Sequence, residues 1–284
     1  MITIIIVTFK SENLIDNCIN SIDNSYNIIV VENSSNDSFK SYLETRYQNV
    51  KCILTGKNLG FGAANNIGIL SANSDYVLVL NPDAKLLPDT LSILKNYIQT
   101  TDFAIMAPHI LNENNNNYEN FERSKKTTEL SMNNDLIPVE SIRGFAMLIN
   151  KKKFKNEFFD ENFFLYMEEI DLCKRARDNN QLLFISKKAK VVHLGGQSHD
   201  NQFNKELEIS RNWHWMWSKF YYTKKHYGFL YALKKNIKTL LLSPVKVLFF
   251  LVIFDKYKLQ IYLARFCGLC NAILSRKSSY RPKI

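Results

Sequence analysis

Short, strongly apolar runs alternate along the first hundred residues with segments whose apolar positions return every three or four residues. Residues 2–9 form a β-branched run, and in residues 12–22 the apolar Leu14, Ile15, Cys18, Ile19 and Ile22 share one helical face. Residues 27–31 predict a second strand, 39–47 a helix, 50–54 a third strand, 63–71 a helix and 75–80 a fourth strand. Strand and helix in that alternation predict right-handed βαβ crossovers, hence an α/β fold with a mostly parallel, Rossmann-like sheet covered by helices on both faces. Ligands of such sheets bind beyond the carboxyl ends of the strands. The positions just after Phe9, Val31 and Leu80 are therefore the first candidates for a site.

The pattern then loosens. Residues 112–117 are nearly all Asn, and the segment from there to about Ile137 predicts a polar loop, either a lid beside a site or a surface insertion. Regular signals return at residues 141–149, at 162–178 with helical spacing, and at 182–185 and 190–194 as two further strands. From Glu206 onward aromatic and basic residues interleave, and residues 239–254 form an apolar stretch interrupted by Pro244 and Lys246.

Composition narrows the class. The 284 residues are 46% apolar and 23% charged, with nine Gly and six Pro, which excludes whole-chain disorder and fibrous repeats. The five cysteines are odd in number and lie in apolar surroundings, as expected of a reducing compartment. Cys267 and Cys270 form a CxxC with no second pair and no nearby His, so packed helix thiols explain them. The opening MITIIIVTF lacks the basic region and cleavage site of a signal peptide and reads as a buried strand.

The net charge of +10 is unevenly placed. Residues 1–142 hold 10 basic and 16 acidic side chains, a net of −6; residues 205–284 hold 16 basic and 3 acidic, a net of +13. A polyanionic partner for the tail follows, and no nucleic-acid recognition motif accompanies the charge. An anionic membrane surface is the remaining fit.

Three places carry chemistry. Asn81-Pro82-Asp83 ends the apolar run at residues 76–80; Pro82 forces a turn and leaves Asp83 at the mouth of the sheet, where it either caps the turn or holds a divalent cation. Glu168-Glu169-x-Asp171 precedes Arg175: Asp171 and Arg175 stand one turn apart and can pair, while Glu168 and Glu169 either cap a helix or offer a general base. His193 ends a β-branched run before Gly195 and Gly196, as a structural residue or a metal ligand beside Asp83.

In this order the segments IIIVTFKSENLIDNCINSI, IIVVENSSND, NLGFGAANNIGI, YVLVLNPDAKLLPDTL, IRGFAMLINKKKF, FFLYMEEIDLCKRAR and KVVHLGGQS resemble the family 2 glycosyltransferases of the GT-A fold, most closely the rhamnosyltransferase-like subgroup. They span residues 2–198, about 70% of the chain. The resemblance implies that Thr8 and Glu32 contact the donor's nucleoside, with Glu where the family commonly has Asp. It implies that Asn58, Gly60 and Asn65 line the nucleotide pocket. Asn81-Pro82-Asp83 matches the family's DxD-type motif, with Asp83 as the main metal carboxylate and His193 as a further ligand for Mn or Mg. Glu169 matches the catalytic base, with Glu168 and Asp171 as supporting or acceptor-side carboxylates, and Arg143 and Gly144 match the floor of the sugar pocket.

The expected organisation is a catalytic domain over residues 1–204 and a basic, aromatic, helical attachment region over 205–284. The apolar stretch at 239–254 has 16 residues against the roughly 20 of a spanning helix, so it predicts interfacial or re-entrant attachment, against the alternative of a helical hairpin packed on the catalytic domain with a solvated lysine face. The expected activity is metal-dependent, inverting transfer from dTDP-rhamnose or a UDP-hexose to a lipid-linked or surface polysaccharide acceptor, at the cytoplasmic face of the cell membrane. A nucleotidyltransferase and a non-catalytic membrane scaffold are the competing readings. Oligomeric state has no sequence signal.

Overall fold

The computed structural model describes residues 1–111, 135–193 and 204–282. The chain forms two compact units, one of Met1–Asp160 with Glu169–His199 and one of Glu161–Glu168 with Asp200–Ile284. A division drawn at residue 204 leaves Glu161–Glu168 with the sheet, whereas these residues pack within the helical unit.

The first unit contains, in chain order, β1 (Ile2–Thr8), α1 (Glu12–Ile19), β2 (Asn27–Glu32), α2 (Asp37–Arg46), β3 (Val50–Leu54), α3 (Phe61–Ser71), β4 (Tyr76–Leu80), β5 (Ala84–Leu86), α4 (Thr90–Thr100), β6 (Ile105–Leu111), β7 (Leu136–Pro138), β8 (Ala146–Asn150), α5 (Glu168–Asp178) and β9 (Leu183–His193). Among the described residues the strands form one sheet in the order β3-β2-β1-β4-β8-β6-β9-β5, with β7 also on β9. Strands β3, β2, β1 and β4 are parallel; β8 runs antiparallel between β4 and β6, and β6 pairs β9 in parallel. The carboxyl ends of β1, β2, β4 and β9 and the amino end of β8 thus share one edge.

Each strand feeds both faces because successive side chains alternate. Ile4, Ile6, Leu78 and Leu80 join one core with residues of α1, α2 and α4, while Ile5, Val77 and Val79 join a second with α3 and α5. Gly68 lets α3 lie this close: a Cβ there would stand 2.4 Å from Ile5 Cγ2.

Three expectations are corrected. The runs 182–185 and 190–194 are one strand, β9, whose pairing slips between Pro108 and His109 so that Ser186 and Lys190 oppose neighbouring residues of β6. Ser186 Oγ accepts from the Ala189 backbone at 3.0 Å and closes this bulge. The helix expected over 162–178 begins only at Glu168, preceded by Tyr166 and Met167 at φ 70° and 72°, because Phe163 serves the core of the helical unit instead. The loop expected to reach Ile137 contains β7, and residues 141–145 precede β8 rather than extend it. The Asn run and Gly195-Gly196 lie outside the described residues.

The second unit contains α6 (Asn204–Tyr227), α7 (Phe229–Val252) and α8 (Lys256–Ile273). Its core holds Phe163, Trp213, Trp217, Phe220 and Leu269. Gly268 brings α8 against α6, since a Cβ there would lie 2.2 Å from the Trp213 carbonyl oxygen. Ser218 Oγ donates to the Leu165 carbonyl at 2.8 Å and holds the segment that leads into α5. Cys267 and Cys270 are free thiols on α8. Among the described residues no helix is long and apolar enough to cross a membrane.

Candidate functional site

At the carboxyl ends of β1 and β2, parallel register sets Thr8 beside Glu32. Thr8 Oγ1 donates to Glu32 Oε2 at 2.6 Å, and Ser34 Oγ to Oε1 at 2.5 Å. Burial pushes the Glu32 carboxyl above the usual range, against the pull of these two hydrogen bonds. Behind it, Asn33 organises the next loop: its Nδ2 donates to Asn58 Oδ1 at 3.0 Å and its Oδ1 accepts from the Leu59 backbone at 2.9 Å. Asn58 Oδ1 also accepts from the Gly60 N–H at 3.0 Å, so that oxygen is used inside the loop. Gly60 sits at φ 90° as the residue before α3, a conformation that favours glycine. Asn65, fully buried on α3, donates through Nδ2 to the Phe61 carbonyl at 2.9 Å; its Oδ1 has no hydrogen-bond partner among the described residues.

The Asn81-Pro82-Asp83 turn is closed by the Ala84 N–H on the Asn81 carbonyl at 3.0 Å. Antiparallel pairing of β5 with β9 puts Ala84 opposite His193. His193 Nε2 thereby lies 3.2 Å from Asp83 Oδ1, a polar contact without the alignment of a hydrogen bond. The Phe145 ring stacks on the His193 ring at 4.4 Å and 11°. The Phe145 carbonyl accepts from the Asn81 N–H at 2.8 Å. Burial first and the Asp83 charge second drive the Cys18 thiol far up, which keeps it inert beside the turn.

One residue before Phe145 the chain reaches a third group. A Cβ on Gly144 would meet Phe61 ring carbons at 3.1 Å and Glu169 Cβ at 3.6 Å, so this loop, the start of α3 and the first turn of α5 converge. Burial raises the Glu169 carboxyl above the usual carboxylate range, opposed by the backbone N–H groups at the helix start and by the Arg143 guanidinium. Asp171 is fully buried and bound to Arg175 Nε at 2.8 Å; Arg175 in turn donates to the Glu157 and Phe158 carbonyls. Asp171 is therefore a brace. Glu168 is buried and belongs to the helical unit.

Of the candidate residues, the sheet brings Thr8 to Glu32, Asp83 to His193, and both Arg143 and Gly144 to Glu169. Residues the pattern did not single out are Asn33, Ser34, Phe61 and Phe145. The signal for the first two was present as the polar ENSS after an apolar strand; nothing local marks Phe145 as a ring that stacks on His193. Among the described residues no three His, Cys, Asp or Glu side chains gather around a metal position, so Asp83 and His193 offer two protein donors. A hollow of about 590 Å³ lined by Thr3, Asn27, Asn49 and Asp75 lies at the opposite edge, by the amino ends of the strands.

The chain is similar to several known proteins. The chain is 31% identical over 193 residues to the low-salt glycan biosynthesis hexosyltransferase Agl10 of Haloferax volcanii, covering 63% of this chain and 62% of that protein's length. It is 26% identical over 242 residues to the rhamnosyltransferase WbbL of Escherichia coli, covering 75% and 89%. Among solved structures, a mannosyltransferase from Pyrobaculum calidifontis in complex with GDP-Man and Mn2+ superposes with a TM-score of 0.58 at 13% identity, covering 97% of this chain and 88% of the other. TarS of S. aureus in complex with UDP-GlcNAc gives 0.55 at 12% identity, covering 99% and 93%. These likenesses show an α/β fold of the GT-A type. The family model described as glycosyl transferase family 2 matches residues 3–172, more than half of the chain, and the protein belongs to that family.

Proposed function

We propose that the chain moves one sugar, rhamnose or a hexose, from a nucleoside-diphosphate donor to a hydroxyl of a lipid-linked or surface polysaccharide, with inversion at the anomeric carbon. The observation that carries this reading is the segment Arg143-Gly144-Phe145. It lies beside Glu169 at one end, and at the other it bonds Asn81 and stacks on His193. A base and a pair of metal donors thus share one rigid support, as single displacement requires.

In the displacement the acceptor oxygen bonds to the anomeric carbon as that carbon's bond to the diphosphate oxygen breaks. Glu169 takes the hydroxyl proton, and the bonding electron pair leaves with the diphosphate. Burial makes Glu169 a stronger base than an exposed carboxylate, and the Arg143 guanidinium opposes part of that rise. Asp83 and His193 would hold a divalent cation, Mn or Mg, through one carboxylate oxygen and one imidazole nitrogen. Such a cation, when bound, offsets the charge on the departing diphosphate. The Glu32 carboxylate, held by Thr8 and Ser34, is an acceptor for a nucleoside N–H or hydroxyl, and the loop at Asn58 and Gly60, tied to the neighbouring Asn33, adjoins it. The neighbours that hold UDP-GlcNAc or GDP-Man with Mn2+ support a donor of this class.

The test is transfer or donor hydrolysis with Mn or Mg. Loss of a general base lowers turnover by about 10²–10⁴-fold, the fall expected for Glu169→Gln, and Asp83→Ala removes the metal requirement together with activity. Unchanged turnover in both variants overturns the mechanism. Tight donor binding without turnover favours the scaffold reading, and pyrophosphate release from a nucleoside triphosphate favours a nucleotidyltransferase.

A further inference from the structure

Helix α7 of the second unit is apolar on the outside. Leu241, Val245, Leu248 and Val252 follow one another at steps of four, three and four residues, which places them on one stripe. They are 66%, 60%, 61% and 72% exposed, and Phe254 in the turn beyond is 84% exposed. The buried face of the same helix carries Ala232, Asn236 and Ser243. Asn236 donates to the Ala232 carbonyl at 2.8 Å and Ser243 to the Thr239 carbonyl at 2.6 Å, each one turn back, so both polar groups are satisfied on their own helix. A helix in water does the reverse, turning its apolar stripe to the core and its polar residues outward. A contiguous stripe of this size marks a docking surface.

The charge around it names the occupant. Residues 229–284 contain 11 basic and 1 acidic side chain, a net of +10; the 228 residues before them hold 26 of each sign, so the whole excess of the chain sits here. Lys238 and Lys234 continue the stripe one and two turns before Leu241, and both are exposed. The one acid, Asp255, accepts from the Lys258 N–H at 2.9 Å as the cap of α8.

We infer that this face docks on an anionic lipid leaflet, with the stripe and Phe254 at the acyl boundary and the lysines at the headgroups. The helix lies in the plane of the surface, since it is not long and apolar enough to cross. A second copy of the chain is disfavoured because it brings +10 against +10. A nucleic acid would meet the lysines and leave the stripe in water.

The experiment is flotation of the full chain with vesicles of phosphatidylcholine alone or mixed with phosphatidylglycerol, with no donor, acceptor or metal. The mixed vesicles bind more strongly, and salt weakens the binding. Leu241→Ser with Leu248→Ser lowers partitioning on the mixed vesicles by roughly 100-fold, about tenfold per buried leucine. Lys234→Gln with Lys238→Gln lowers it by about fivefold or more, on mixed vesicles only. Far-UV circular dichroism and the thermal melt check the fold of each; if the serine variant melts early, the glutamine variant decides. Absence of wild-type binding, equal binding by the variants, or a solution dimer that the serine variant splits overturns the inference. Because neither substrate is present, the outcome is separate from that of the transfer reading.

Discussion

Gly144→Ala asks whether the Arg143-Gly144-Phe145 segment positions the base. The added Cβ would lie 3.1 Å from Phe61 Cε1 and Cζ and 3.6 Å from Glu169 Cβ. Carbon atoms rest at about 3.5–4.0 Å, so the Phe61 ring must give by about half an ångström while the contact with Glu169 is only just acceptable. Overpacking of this kind costs about 1 kcal/mol at the low end of its range. Fewer unfolded conformations return about 0.4–1 kcal/mol, so the variant folds with nearly wild-type stability. Catalysis is less forgiving: a shift of about 1 Å in a reacting group costs on the order of 100-fold, and half of that shift predicts a kcat about tenfold lower with donor KM little changed. Phe61→Leu removes the two ring carbons in the way, so the double variant regains turnover in a way the single changes do not add up to. Steady-state turnover beside urea unfolding reads both quantities. Wild-type kcat in Gly144→Ala, or a loss that Phe61→Leu leaves untouched, refutes the positioning role.

Three further outcomes follow from the same geometry. The acid limb of kcat/KM lies above the ordinary Glu range because Glu169 is raised by burial, and Arg143→Ala, by removing a charge that lowers it, moves the limb to higher pH; a limb that stays or moves down refutes the pairing. Asn66→Ala leaves the Phe159 N–H and carbonyl, which it bonds at 3.0 and 2.8 Å, without partners, and urea unfolding should register a loss of about 1–3 kcal/mol per group. His214, buried between the Ser278 hydroxyl and the Tyr280 carbonyl, has its pKa pushed from 6.5 to about 3, mainly by burial. The unfolded chain therefore binds the extra proton below about pH 6.5 and stability falls by roughly 1.4 kcal/mol per pH unit as pH drops toward 3, a slope that His214→Gln flattens in unfolding curves taken across that range.

The parallel half of the sheet was legible because its strands are largely buried on both faces and written as short apolar runs; β3, though interrupted by the exposed Lys51, came out with both ends as read, Val50–Leu54. The antiparallel half was not, since its elements answer to partners rather than to local pattern. β5 and β7 have three residues each, too few for any period, and β9 runs through Lys187 and Lys188 because the slip against β6 lets those side chains reach water. The same asymmetry governs the site. Asp83 and His193 were each visible as a polar residue ending an apolar run, yet what sets them 3.2 Å apart is the register of a three-residue strand. Glu169 was one of two adjacent acids, and the structure sets it beside Arg143 and Gly144, whereas Glu168 belongs to the helical unit. Charge behaved in the opposite way, being fully countable yet mute about its use. The excess of +10 in residues 229–284 acquires a meaning only when α7 turns Asn236 and Ser243 inward and its leucines outward. Orientation about a helix axis is decided by what the other side of the helix packs against. Here that is Ala264, Leu269 and the aromatic core of α6, which accept small side chains and leave the large ones to find a partner elsewhere.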